Sequence, residues 1–223
     1  MRILILQARN FGDAVIATQI VNSLGESFRD IKIDILTRSS FKAIYKKNPH
    51  VKNLYFANFP MGTGKNSNFK EFVNLISYIF KLQKNKYDMV INNVGDFREI
   101  LIGKLIHPKE NTSFVWDDNH VFKNLIRPGL YRLIDRKIII PRNIVNIYEA
   151  QEYFLKCIGC KIISKPKIFL SKKVDKLKTI GIHPLASQKS KLWSDKKWNE
   201  LIKNIISLTN YEVWIFGAPS EKN

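Results

Sequence analysis

The sequence predicts an α/β protein built on parallel strands that are covered on both faces. Three observations predict it. Short apolar runs alternate with amphipathic segments along the chain. The first run, Ile3-Leu4-Ile5-Leu6, is apolar at consecutive positions, as a strand buried on both faces requires. The composition is that of an ordinary globular chain, with 45% hydrophobic and 25% charged residues.

Each element follows in order. Residues 2–7 read as a first strand. A polar turn leads to a helix over 13–24 that Gly25 closes. Residues 32–37 and 51–57 read as the next strands, and 60–68, with Gly62 and Gly64, as a loop. From 69 to 84, Phe69, Phe72, Val73, Ile76, Ile79 and Phe80 recur at helical spacing. Residues 87–92 form another strand. The Lys-rich stretch 161–178, with Pro166, reads as a linker or an edge hairpin. A second α/β unit follows: strand 179–183, loop 184–193, and a helix capped by Ser194 with Asp195 in its first turn. Trp198, Leu201, Ile202, Ile205 and Ile206 form its buried stripe, and Asn210 ends it. Residues 211–216 are the last strand. The expected division is therefore a first domain over 1–161, a linker over 162–178 and the start of a second domain over 179–223.

Composition narrows the partners. Lys plus Arg is 37 against 19 acidic residues, a formal net charge of +18. Such a surface favours an anionic partner: a nucleotide, a phosphorylated glycolipid, a membrane surface or nucleic acid. No RNA-recognition or helix-turn-helix pattern occurs, and the aromatics, Trp116 and Trp214 included, read as core rather than a base-stacking platform. No run approaches the ~20 apolar residues of a membrane-spanning helix. The N-terminus lacks a signal peptide, so the expected location is the cytoplasm. The two cysteines, Cys157 and Cys160, are too few for a disulfide scaffold or a four-ligand zinc site. They read as small apolar residues near a helix end, with a redox pair as the alternative. His50, His107, His120 and His183 show no ligand spacing, so no metal is expected.

Two strand-to-helix turns carry candidate chemistry, because α/β folds bind ligands at the carboxyl ends of strands. The first, Ala8-Arg9-Asn10-Phe11-Gly12-Asp13, has one glycine and is no dinucleotide fingerprint. Asp13 opens the helix, and the residues alone leave it open between a helix cap and a general base. The second turn spans 183–193. Its hydroxyls and lysines, Ser187 and Lys191 among them, outline a phosphate site at a helix N-terminus, with a solvated basic loop as the alternative. Met61-Gly62-Thr63-Gly64-Lys65-Asn66 is P-loop-like but lacks the earlier glycine and the final Ser/Thr.

Taken together, the two turns resemble a known family. Residues 2–6, then Phe11-Gly12-Asp13-Ala14-Val15, then 32–38, are similar to the opening of bacterial heptosyltransferases, glycosyltransferase family 9. Ile180-Gly181-Ile182-His183-Pro184, Ala186-Ser187, Lys191, Trp193, Trp198 and the run 216–221 are similar to the family's second signature region. The resemblance implies a GT-B-type architecture: a complete N-terminal Rossmann-like domain and, here, an incomplete second one. It implies an inverting, metal-independent transfer of heptose from ADP-heptose to the lipopolysaccharide inner core, with no cofactor. Asp13 would be the general base, and Ser187 and Lys191 would hold the donor diphosphate. Lys46, Lys47 and Lys65 are candidates for contacts to the anionic acceptor. The enzyme would be cytoplasmic and peripheral on the inner face of the inner membrane, and nucleic acid would not be a partner. The family's later Asp-x-Gly-x-x-His pattern does not occur in this chain. The expectation is thus an impaired transferase with little turnover by itself. The alternatives are a non-catalytic remnant that binds an anionic glycan or nucleotide, and a nucleic-acid binder.

Overall fold

The computed structural model describes residues 1–57, 69–92, 96–117, 129, 131–170, 178–186 and 189–217. These residues form two compact units, Met1–Ser171 and Lys172–Asn223.

In the first unit six parallel strands form one sheet. They are β1 (Arg2–Gln7), β2 (Lys32–Thr37), β3 (Val51–Phe56), β4 (Met89–Asn92), β5 (Glu110–Trp116) and β6 (Arg136–Ile140), in the order β3-β2-β1-β4-β5-β6. The helices are α1 (Phe11–Ser27), α2 (Lys42–Tyr45), α3 (Phe69–Gln83), α4 (Phe97–Leu105) and α5 (Ile147–Cys157). Successive side chains of a strand point to opposite faces, so an unbroken apolar run feeds two cores. In β1, Ile3 and Ile5 join the core under α1, α2 and α5, while Leu4 and Leu6 join the core under α3 and α4. All four are 0% exposed. Burying such a side chain contributes ~1.5–3 kcal/mol, which makes β1 the spine of the sheet.

One buried charge interrupts β2. Asp34 is 0% exposed and accepts four hydrogen bonds from three residues. Arg2 donates from Nε at 3.1 Å and Nη2 at 2.8 Å, Tyr87 from its hydroxyl at 2.7 Å and Asn53 from Nδ2 at 2.7 Å. The network ties β1, β2, β3 and the start of β4 at the amino ends of the strands. Burial and the Asp34 charge push the Tyr87 phenol well above its ordinary range.

Several local expectations change. The first helix does not stop at Gly25. It begins at Phe11 behind Asn10 and continues to Ser27. A Cβ at position 25 would run into the ring of His50, so this glycine serves a close approach rather than a helix end. On α3 the buried stripe is Leu75, Ile79 and Leu82, while Val73 and Phe80 are 49% and 61% exposed. Residues 162–167 lie along α1 instead of spanning freely. The N–H groups of Ile162, Ser164 and Lys167 donate to the hydroxyls of Ser27, Ser23 and Thr18, each at 2.9 Å. These bonds explain why α1 carries buried hydroxyls on that side.

The second unit contains β7 (Thr179–Ile182), a 3₁₀ turn at Lys189–Lys191, α6 (Asp195–Leu208) and β8 (Glu212–Ile215), with β7 and β8 parallel. Ser194 occupies the expected N-cap position, and Thr209 rather than Asn210 follows the last turn. The expected stripe of α6 is covered only in part: Trp198, Leu201, Ile202 and Ile205 are half-buried, none is fully buried, and Ile206 is 61% exposed. Trp214, expected in the core, is 48% exposed. Two strands offer too little surface to bury a four-turn helix.

Candidate active site

The sheet order places a topological switch point between β1 and β4. From β1 the chain proceeds to β2 on one side; from β4 it proceeds to β5 on the other. Ligands of open α/β sheets bind outside the carboxyl ends of the strands at such a point. Here that edge carries the turn from β1 to α1 and the start of α4.

Asp13 stands in the first turn of α1. Its Oδ2 accepts the backbone N–H of Asn10 at 3.2 Å in a capping box, and Arg9 Nε lies 3.7 Å away. The carboxylate is 26% exposed. Cap and base are therefore not alternatives in geometry: one oxygen serves the helix while the group remains open to solvent and ligand.

The turn that carries Asp13 is held from both sides. The Ala8 N–H donates to Glu99 Oε1 at 2.7 Å, and Arg38 Nε donates to the Ala8 carbonyl at 2.8 Å. Glu99 is 0% exposed, and its Oε2 finds no partner among the described residues. Burial pushes its carboxyl up to about 8, against the pull of the Ala8 N–H. Beside it Asp96 caps α4 and receives a two-pronged pair from Arg98, Nε to Oδ1 at 2.8 Å and Nη2 to Oδ2 at 2.7 Å. Burial opposes ionisation of Asp96, but the bonds and charge of Arg98, with the charge of Arg9, hold its carboxyl below the usual range.

Glu99 gives a stability prediction. Its folded value lies above the ordinary 4.5, so the sign is that of a buried acid. Below 4.5 it is protonated in both states and costs nothing. Between 4.5 and about 8 the unfolded chain gains by ionising and the folded chain does not, so stability falls across this window and levels off above it. Glu99→Gln removes that titration. Denaturant midpoints at pH ~5 and ~8.5 should show the variant gaining on the parent by a few kcal/mol at the higher pH. Parallel pH profiles would contradict a buried protonated Glu99.

The remaining sequence candidates scatter. Lys46 and Lys47 are exposed on the connection that leads back to the amino end of β3, whereas Asp13 follows the carboxyl end of β1. Lys65 and Ser187 lie outside the described residues. Lys191 closes the 3₁₀ turn ahead of α6 and is exposed. Trp193 follows it, packed edge-on against Trp198 with centroids 5.0 Å apart, and Lys197 lies over the Trp193 ring. Sequence reasoning missed Glu99, Arg38, Asp96 and Arg98. Asp96 was legible as an N-cap ahead of an apolar-periodic segment; Glu99 and Arg38 act through contacts remote in sequence. Of the two cysteines, Cys157 is exposed and Cys160 is buried, and burial pushes the Cys160 thiol up to about 11, which makes it a poor nucleophile. Among the described residues no group of three or more His, Cys, Asp or Glu is placed to hold a metal ion, and no helix is long and apolar enough to cross a membrane.

A sequence model described as glycosyltransferase family 9 (heptosyltransferase) matches residues 76–223. The chain belongs to this family. The match includes Lys191 and the second unit; Asp13 precedes it. Lipopolysaccharide heptosyltransferase 3 of Escherichia coli K12 is 24% identical over 223 residues, which are 95% of this chain and 62% of that protein. The chain thus spans under two thirds of this curated relative. Among solved structures, a family 9 glycosyltransferase from Veillonella parvula superposes with a TM-score of 0.77 at 16% identity, over 99% of this chain and 63% of that one. E. coli heptosyltransferase WaaC with ADP gives 0.75 at 19% identity, over 99% and 69%. At these identities the likeness establishes the fold, which is the α/β, GT-B-type architecture of the family.

Proposed function

We propose that the chain acts in heptose transfer from ADP-heptose to the lipopolysaccharide inner core, with inversion and without a metal. The observation that carries the reading is the Asp13 carboxylate at the switch point of a chain that belongs to glycosyltransferase family 9. In this reading an acceptor hydroxyl oxygen attacks the anomeric carbon. Its proton passes to Asp13, the bond from that carbon to the diphosphate breaks, and the electron pair leaves with the diphosphate. Ser187, Lys191 and the amino end of α6 stabilise the charge that develops there. The Glu99 and Arg38 bonds to Ala8 hold the turn that presents Asp13. Lys65 is the remaining candidate for the anionic acceptor, since Lys46 and Lys47 stand at the opposite end of the sheet from Asp13. The protein works in the cytoplasm, in peripheral contact with the inner membrane surface. Turnover in this reading is slow, because no side chain of α6 is fully buried and the donor loop rests on a weakly packed support.

That last observation also favours a second reading, a binder of nucleotide or anionic glycan without turnover. One experiment supports the first and bounds the second. Lys191→Ala should weaken ADP binding by ~1.5–3 kcal/mol, the range for a hydrogen bond to a charged group, and leave adenosine binding unchanged. Calorimetric titration of both ligands checks this. Equal losses for ADP and adenosine would remove Lys191 from the phosphate site. Lys191-dependent ADP binding with no transfer to an acceptor would favour the binder.

A further inference from the structure

Helix α3 is apolar on two sides. Leu75, Ile79 and Leu82 face the sheet, while Val73 and Phe80 stand 49% and 61% exposed on the outer side. Its neighbour α4 repeats the pattern. Ile102 and Ile106, at the inner side and the end of α4, join the same core as the inner residues of α3, while Phe97, Leu101 and Leu105 are 42–43% exposed at four-residue spacing. The two helices are tied at their carboxyl ends, where Gln83 Nε2 donates to the Leu105 carbonyl at 2.6 Å. A helix apolar on both sides calls for cover on both, and among the described residues only the inner side has it.

The charges from residue 72 to residue 87 share one sign, while on α4 Lys104 pairs with Asp135 at 3.0 Å. From residue 72 to residue 87 there is no Asp or Glu, while Lys81, Lys84 and Lys86 are exposed. The one carboxylate within α4 is Glu99, which is fully buried. Exposed Phe and Leu rimmed by lysines, with no exposed carboxylate on the described part of either helix, match a bilayer that carries anionic headgroups: apolar groups enter the acyl boundary and ammonium groups meet phosphate. The net charge of +18 adds attraction over distance.

We propose that the outer face of α3 and α4 docks on an anionic lipid bilayer. The inference deepens the membrane-contact part of the proposed function and needs no transfer activity for its test. Phe80 and Leu101 are the central anchors, and Lys81, Lys84 and Lys86 supply the headgroup contacts.

The test is co-sedimentation with sucrose-loaded vesicles of phosphatidylcholine, with and without phosphatidylglycerol. The chain should bind the anionic vesicles, less at high salt, and bind phosphatidylcholine alone at least ~10-fold more weakly. The F80D/L101D variant should lose ~10-fold or more of the anionic binding, while Lys84→Gln with Lys86→Gln, which leaves the apolar packing untouched, should lose several-fold. Ile206→Asp with Leu208→Asp, on the exposed helix of the second unit, should bind as the parent does. Failure of the parent to bind would overturn both this proposal and the membrane part of the reading, leaving the transfer reaction standing. Equal binding by the parent, F80D/L101D and the lysine variant would overturn this face alone. A dimer in lipid-free buffer that F80D/L101D abolishes would assign the face to a second copy and overturn the proposal as well.

Discussion

Asp13→Asn is expected to lower heptose transfer ~10²-fold or more while ADP binding and thermal stability stay close to those of the parent. Asparagine keeps an oxygen that can accept the Asn10 N–H, so the start of α1 is preserved. The ion pair to Arg9 is lost, but at 3.7 Å with Arg9 41% exposed it is a surface pair of small worth. What disappears is the proton acceptor for the attacking hydroxyl. Parallel measurement of turnover, ADP affinity and thermal midpoint separates this from damage to the fold. Parent-like turnover in the variant would remove Asp13 from the chemistry.

Asp34→Ala is expected to have the largest effect on stability, a loss of ~3–5 kcal/mol, because it leaves the half-buried Arg2 guanidinium, the Tyr87 hydroxyl and the Asn53 amide short of an acceptor. For a domain of this size that corresponds to a drop of roughly 6–20 °C in thermal midpoint. Adding Arg2→Met should recover part of the loss, since the uncompensated charge goes with it. A single variant within 1 °C of the parent, an interval of about 0.3–0.5 kcal/mol, would show that the network adds nothing net.

These two aspartates mark how far the sequence could be read. The strands β1, β2 and β4 were legible because strands buried on both faces read as apolar runs. Asp13 was legible as a carboxylate at a strand-to-helix turn. Asp34 was not. Its partners stand 32, 19 and 53 residues away, and nothing local announces their convergence. Glu99 escaped for the same reason, since its bond to Ala8 spans 91 residues. Gly25 misled in the opposite sense: glycine is a good local stop signal, but here a tertiary contact with His50 sets its identity. The periodicity of α3 gave the helix but not its buried side, because a helix with apolar residues on two sides has no unique inner stripe.

The most direct test of the account follows acceptor-dependent release of ADP from ADP-heptose by phosphorus NMR. The reaction contains the purified chain and vesicles bearing a lipopolysaccharide core that lacks heptose. Slow release that requires the acceptor and disappears with Asp13→Asn is the expected result. No release from the parent chain over a prolonged incubation, or release that Asp13→Asn leaves unchanged, would contradict it.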